Sequence, residues 1–241
     1  MRADVFLVEQ GYAKSRSEAQ AAIRLGRVLA NGAPLSKPSQ IIAADAVIAY
    51  DKPHPFVSRG GVKLAAALDH FGLTPKDRVC LDLGASTGGF SQVLLQRGAM
   101  RVYALDVGHG QMDGVLAQDP RIVLREGVNA RDLTRADLPE PITAITADLS
   151  FISLKLALPS ALRLAAADAW AVMLIKPQFE VGRDAVGKGG VVRDKTVREA
   201  AVAGITDFIA LQSGWRILGT MESPITGGDG NVEYLLAARK A

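Results

Sequence analysis

Cysteine is nearly absent from this chain: Cys80 stands alone among 241 residues, so no internal disulfide can form and no cysteine metal cluster is available. Its setting, Arg78-Val79-Cys80-Leu81, reads as a buried strand and not as a reactive thiol. Histidine is almost as scarce. His54, His70 and His109 are scattered and share no HxxxH-type spacing, so no metal site is expected. Long apolar runs are missing too. The longest, Trp170 to Ile175, falls far short of the roughly 20 residues that span a bilayer, and Met1-Arg2-Ala3-Asp4 starts no secretory apolar region. A cytoplasmic protein without membrane contact is the expectation. The 49% hydrophobic content is enough for one large α/β domain plus a small module. Acidic residues are in short supply only at the start: residues 1–63 hold nine Lys/Arg against five Asp/Glu, a net of +4, while 64–241 hold nineteen against twenty, a net of −1. A basic first quarter suits a phosphate backbone as partner.

The first segment reads as helix, helix, hairpin. A short amphipathic helix fits Arg2 to Gln10, with Val5 and Val8 one turn apart and Gly11 as a left-handed stop. Ser15-Arg16-Ser17-Glu18 is a capping box opening a second helix, whose buried face carries Ala19, Ala22 and Ile23. Val28 to Leu35 predicts a hairpin turning at Asn31-Gly32, a pair suited to the positive φ of a type I′ turn. This order, with Phe6 to Ala19 and then Ile23, Gly26, Val28, Asn31-Gly32 and Lys37, resembles the S-four type RNA-binding domain. The resemblance implies an RNA face carrying Lys14, Arg16, Arg24, Arg27 and Lys37. Asp51 to Val57, stiffened by Pro53 and Pro55, marks a boundary between an RNA-binding domain over 1–57 and a second domain over 58–241.

From Arg78 short apolar strands alternate with helical segments, which predicts a parallel sheet covered on both faces. Strands are expected at 78–83, 101–106, 121–125, 142–147, 170–176, 215–221 and 231–238, the last two paired as an antiparallel hairpin. A seven-stranded sheet of this kind suggests a Rossmann-like methyltransferase fold, α/β in class, beside a small α+β amino-terminal domain. The first strand runs into Asp82-Leu83-Gly84-Ala85-Ser86-Thr87-Gly88-Gly89-Phe90, a loop for a nucleotide-like cofactor. Ser86 takes the place of the second glycine of GxGxxG, which weakens the case for a pyrophosphate. Asp82 suits the cationic methionine end of S-adenosyl-L-methionine. Asp106, ending the next strand, is placed for ribose hydroxyls, a role that nicotinamide and S-adenosylmethionine sites share. Asn129-Ala130 after the third strand can hold the adenine edge, and Asn129 is equally suited to capping a turn.

Four charged residues lie outside that loop. Asp148 follows the fourth strand and Lys176 ends the fifth, at the carboxyl edge where open α/β sheets bind ligands. Glu233 interrupts a strand that should be buried, so it needs a cation, and Lys176 on the neighbouring strand is the natural one. Lys63, entering the domain after Ser58-Arg59-Gly60-Gly61, completes a neutral set. Ser58 to Leu64, Asp82 to Phe90, Asp148 to Leu154, Ile175 to Glu180 and Asn231 to Tyr234 resemble the TlyA (hemolysin A) family, which is similar to FtsJ-type ribose methyltransferases. That resemblance spans the chain. It implies cytidine 2′-O-methylation of ribosomal RNA, ribosomal RNA or subunits as partner, and a Lys-Asp-Lys-Glu tetrad on Lys63, Asp148, Lys176 and Glu233. A ribose hydroxyl is a poor nucleophile that must be aligned and deprotonated, and a lysine can do this only when uncharged. Lys176 is therefore expected to activate the hydroxyl, with Asp148 orienting it and Lys63 and Glu233 fixing the ribose.

The glycine-rich, cationic stretch 180–195 is a candidate lid. A membrane-lytic hemolysin, suggested by the family's name, finds no transmembrane segment or strongly amphipathic cationic helix in support. A nicotinamide dehydrogenase is disfavoured by the loop sequence. Without an extra basic arm before the first helix, a large-subunit target is expected.

Overall fold

A computed structural model describes residues 1–182, 185–187, 189–227 and 229–241. It divides into two compact units, Met1–Pro55 and Phe56–Ala241.

In the first unit, α1 (Ala3–Glu9) and α2 (Arg16–Arg24) pack through Phe6, Leu7, Ala19, Ala22 and Ile23. Ser15 starts α2 by accepting a hydrogen bond from the Glu18 amide at 3.3 Å. Glu18 in turn accepts from the Lys14 amide at 2.9 Å, holding the residue before the cap. The strands β1 (Val28–Ala30) and β2 (Ala33–Pro34) flank the turn, where Asn31 and Gly32 have φ of 50° and 79°. On its other side β1 pairs with β3 (Ile48–Tyr50), a strand too short to show a period in the sequence.

In the second unit, α3 (Gly60–Phe71) precedes β4 (Val79–Leu83), α4 (Gly89–Gln96) and β5 (Arg101–Asp106). Then come α5 (Gly114–Ala117), β6 (Ile122–Glu126), a 3-10 turn (Ala130–Asp132) and β7 (Ile142–Ala147). The chain continues through α6 (Leu154–Ala157), α7 (Pro159–Leu164), β8 (Ala165–Ile175) and α8 (Pro177–Glu180). It ends with α9 (Lys195–Ala210), β9 (Trp215–Glu222) and β10 (Tyr234–Lys240). The sheet order is β6-β5-β4-β7-β8-β10-β9, and β10 runs antiparallel between β8 and β9. Every residue of β4 is buried, Asp82 included, as a central strand covered on both faces requires. One apolar core lies on each side of the sheet.

Two boundaries differ from expectation. β8 starts at Ala165, because its first turns pair with the edge of β7 before the apolar run begins. β10 starts at Tyr234, so Glu233 lies just ahead of the strand and not within it.

Candidate active site

The end of β4 turns sharply at a loop whose Ser86 adopts a left-handed φ of 46°. That conformation is unfavourable for a side-chain-bearing residue, and two bonds hold it. The Ser86 amide donates to Asp106 at 2.8 Å, and its hydroxyl donates to Gln111 Oε1 at 3.0 Å. Asp106 also accepts from the Gly108 amide at 2.8 Å. Gly84, Ser86, Asp106, Asn129, Ala130 and Asp148 line a cavity of about 620 Å³ at the carboxyl edge of the sheet, together with Gln111 and the apolar Leu83, Leu105, Val128 and Leu149.

The other residues assigned to the cofactor are placed beneath or beside that cavity. Asp82 is fully buried, and its carboxylate accepts from the Ser91 and Thr146 hydroxyls at 2.7 and 2.8 Å. It binds α4 and β7 to β4 from below and does not line the cavity. Burial pushes its carboxyl up to about 6. Ala85 and Phe90 are buried in the core, and Gly88 caps α4 in a left-handed conformation. Gly89 serves helix packing: a Cβ there would sit 2.1 Å from the Ser58 hydroxyl. Thr87 is exposed, and its carbonyl accepts from the Asp113 amide. Asn129 spends Oδ1 on the Arg131 amide at 3.1 Å, so it caps the 3-10 turn while lining the cavity.

The four charged residues form two pairs. Antiparallel register sets Tyr234 opposite Ile175, which brings Glu233 beside Lys176 at the sheet edge. Glu233 nonetheless pairs with Lys63 from α3, and both side chains are buried. Lys176 instead reaches Asp148, with Nζ 2.6 Å from Oδ1, and donates to the Ser150 hydroxyl at 2.8 Å. The expected Lys176–Glu233 pair is thus replaced, because α3 carries a nearer cation to a carboxylate that has left the strand. Gly227 also packs on Glu233, and a Cβ there would lie 2.5 Å from Oε1.

A second pocket of about 290 Å³ is lined by Lys176 and Glu233 along with Gln178, Phe179, Val186, Gly190 and Asp229. Ser150 and Phe151 line both this pocket and the larger cavity, so the loop after β7 is the wall between them. Phe151 is 90% exposed with φ of 64°, and its ring lies 5.2 Å from that of Phe179. Glu180 fixes this wall by accepting from the Ser153 hydroxyl at 2.5 Å and the Leu154 amide at 2.9 Å; burial raises its carboxyl above the usual range.

Residues 56–240 match the profile of the FtsJ-like methyltransferases, and residues 1–48 match that of the S4 domain. A 16S/23S rRNA (cytidine-2′-O)-methyltransferase TlyA from Mycobacterium tuberculosis is 44% identical over 240 residues, covering 99% of this chain and 89% of the relative. Hemolysin A of Brachyspira hyodysenteriae is 40% identical, covering 98% of each chain. Among solved structures, a protein from Streptococcus thermophilus described as a hemolysin superposes with a TM-score of 0.79 at 38% identity, covering 100% of this chain and 88% of that one. The chain belongs to the TlyA family of FtsJ-like methyltransferases. Its cofactor is S-adenosylmethionine, and the cavity's lining fits such a molecule, with the Asp106 carboxylate beside the apolar Leu83, Leu105, Val128 and Leu149. Among the described residues, no helix of this TlyA-family enzyme is long and apolar enough to cross a membrane.

In the amino-terminal unit all five cations assigned to RNA are exposed. Arg16 donates to the buried Asp4 at 2.8 Å, Arg27 donates to the Lys52 carbonyl at 2.7 Å, and Arg24 reaches Gln20. Of the candidate lid, Arg183, Asp184 and Lys188 lie outside the described residues. Gln111 lay outside every motif read from the sequence, while Ser150, Phe151, Gln178, Phe179, Glu180 and Asn231 lay within the quoted motifs without an individual role. Asn231 is buried; it accepts from the Val192 amide at 3.0 Å and donates to the Gly190 carbonyl at 2.9 Å, binding the rim of the second pocket to the approach of β10. The signal available for Phe151 was an aromatic in the loop that follows Asp148.

Proposed function

We propose that this enzyme methylates the 2′-hydroxyl of a cytidine ribose in ribosomal RNA, with Lys176 activating the hydroxyl and the amino-terminal S4 domain gripping the RNA. The observation that carries this reading is Lys176 itself. Its Nζ, 2.6 Å from Asp148 and 2.8 Å from Ser150, stands where the wall between the two pockets meets the strand edge. The smaller pocket receives the acceptor nucleotide, and the larger one the cofactor. Bound S-adenosylmethionine supplies a methyl group on a sulfonium that leaves as a neutral thioether.

The remaining work falls to the chain's own groups. Once Lys176 has released a proton to solvent, the ribose oxygen bonds to the methyl carbon, its proton passes to the uncharged Nζ, and the carbon–sulfur bond breaks. Asp148 holds Nζ in line and stabilises the ammonium that forms. Lys63 and Glu233, paired and buried, neutralise each other and set the floor against which the ribose rests. The aromatic pair Phe151–Phe179 offers a face on which an unstacked base can lie. Restricting the loops around both pockets supplies alignment, the larger part of what a weak nucleophile needs.

The test is nucleoside analysis. Ribosomal subunits from cells lacking this gene are incubated with the enzyme and methyl-labelled S-adenosylmethionine, then digested to nucleosides. Label in 2′-O-methylcytidine supports the reading; label on a base, or none in RNA, refutes it.

A further inference from the structure

Gln178 holds an anomaly that the proposed chemistry does not use. It follows Lys176 by two residues, on the short turn that lines the acceptor pocket. Its Oε1 is buried and accepts no hydrogen bond among the described residues. A buried amide oxygen without a donor is costly and rare, and because Gln178 lines the pocket, a turn of its amide about the last side-chain torsion brings that oxygen to a ligand's N–H. The surroundings define that ligand. Two aromatic rings, Phe151 and Phe179, present faces to a planar group. Asp229 at the rim adds a carboxylate, a second acceptor. Such a pocket favours a heterocycle that offers an amino group.

We infer that Gln178 is the residue that reads the acceptor base, accepting a hydrogen bond from the exocyclic 4-amino group of cytosine and so selecting cytidine over uridine. This rests on the acceptor pocket assigned under the proposed function. Cytosine carries an amino donor where uracil carries a carbonyl oxygen. Opposite Gln178 Oε1 and the Asp229 carboxylate, the uracil oxygen would face acceptors alone and leave the buried oxygen unpaired. In the free enzyme that oxygen is closed off from solvent, and the amide turns about its last torsion to meet the cytosine amino group on binding. Gln178 is a specificity residue and takes no part in moving the proton.

The experiment compares kcat/KM on ribosomal subunits carrying cytidine or uridine at the acceptor position mapped with the wild-type enzyme. Subunits with each base are assayed with wild type, Gln178→Leu and Gln178→Glu, and S-adenosylhomocysteine affinity is measured for all three. Wild type should prefer cytidine by roughly 10- to 100-fold. Gln178→Leu, of similar size without an acceptor, should bring that ratio to within a few-fold of one while S-adenosylhomocysteine binding stays within twofold. Gln178→Glu, which keeps an acceptor oxygen, should retain the preference. A Gln178→Leu enzyme with the wild-type ratio, or a Gln178→Glu enzyme that loses it, overturns the assignment. The wild-type map is a separate result: an acceptor other than a cytidine ribose defeats the functional reading before any variant is assayed.

Discussion

Asp4 in the amino-terminal unit and Asp82 in the catalytic unit are both wholly buried carboxylates, yet their environments push them in opposite directions. Asp4 accepts from the Arg2 guanidinium at 3.0 Å, from Arg16 at 2.8 Å and from Gln20 at 2.8 Å. The Arg2 hydrogen bond holds it well below the usual carboxylate range. Asp82 has two neutral hydroxyls for company, so burial dominates and raises it to about 6. The difference teaches that burial alone does not fix a charge; its partners do. Asp4 is an anion beneath a cationic surface, holding in place Arg2 and Arg16, both well exposed. Asp82 is a brace under the cofactor loop. Glu233 is a third case, in which a buried carboxylate is paired with a cation that is itself buried.

The largest effect should come from breaking that third pair. Glu233→Ala leaves Lys63 charged and unpartnered in the interior, at a cost of about 3–5 kcal/mol. Urea unfolding followed by tryptophan fluorescence reports it, since Trp170 and Trp215 both lie in the catalytic unit. A loss under 1 kcal/mol would show that the pair is not closed off from water.

Next in size is the brace. A carboxyl raised from about 3.8 to about 6 favours its protonated form in the folded state. The fold therefore gains stability as pH falls through 6 and loses roughly 3 kcal/mol as pH rises from 4 to beyond 6. Asp82→Asn removes the titration. The stability difference between wild type and variant should change with pH between 4 and 6.5 and level off above it; a difference independent of pH would contradict the account.

Asp4 carries the opposite sign. Its lowered carboxyl contributes stability that is present above the unfolded value near 3.9 and is lost only as pH falls through the lower folded value. Asp4→Ala should destabilise the amino-terminal unit by about 1.5–3 kcal/mol, the scale of charged hydrogen bonds. It should also weaken RNA binding, because Arg2 and Arg16 lose their anchor. Circular dichroism and filter binding check the two halves; RNA affinity equal to wild type would detach the anion from the surface above it.

The smallest effect belongs to Lys37, exposed beyond β2. Lys37→Ala should reduce the slope of log affinity against log salt by about one phosphate contact, roughly 0.7–0.9. An unchanged slope would remove Lys37 from the RNA face.

Most of the fold was legible because local signals agreed. The turn at Asn31-Gly32, the cap at Ser15 and the largely apolar strands each carry a short-range physical cause, and five of the seven large-sheet strands began within one residue of where the pattern placed them, β10 and β8 being the wider departures. The short β3 carried no period and was invisible. In the site, charge was more legible than pairing. Burial demanded a cation for Glu233, but which lysine supplies it depends on where the chain leaves β10, a tertiary fact. Asp82 was expected at the cofactor, and its hydrogen bonds to Ser91 and Thr146 were not legible, because an acidic residue before a glycine-rich loop looks alike whichever way its carboxylate points. Gln178 and Phe151 were hidden for a different reason: their meaning lies in an unpaired oxygen and in exposure, and neither property exists until the chain has folded.

The central claim is that Lys176 performs chemistry and does not merely hold structure. Single-turnover methyl transfer to ribosomal subunits by Lys176→Ala, beside calorimetry with S-adenosylhomocysteine, tests it most directly. The account predicts a transfer rate lowered by roughly 10²- to 10⁴-fold with cofactor affinity within twofold of wild type. A variant that transfers the methyl group at the wild-type rate would contradict it.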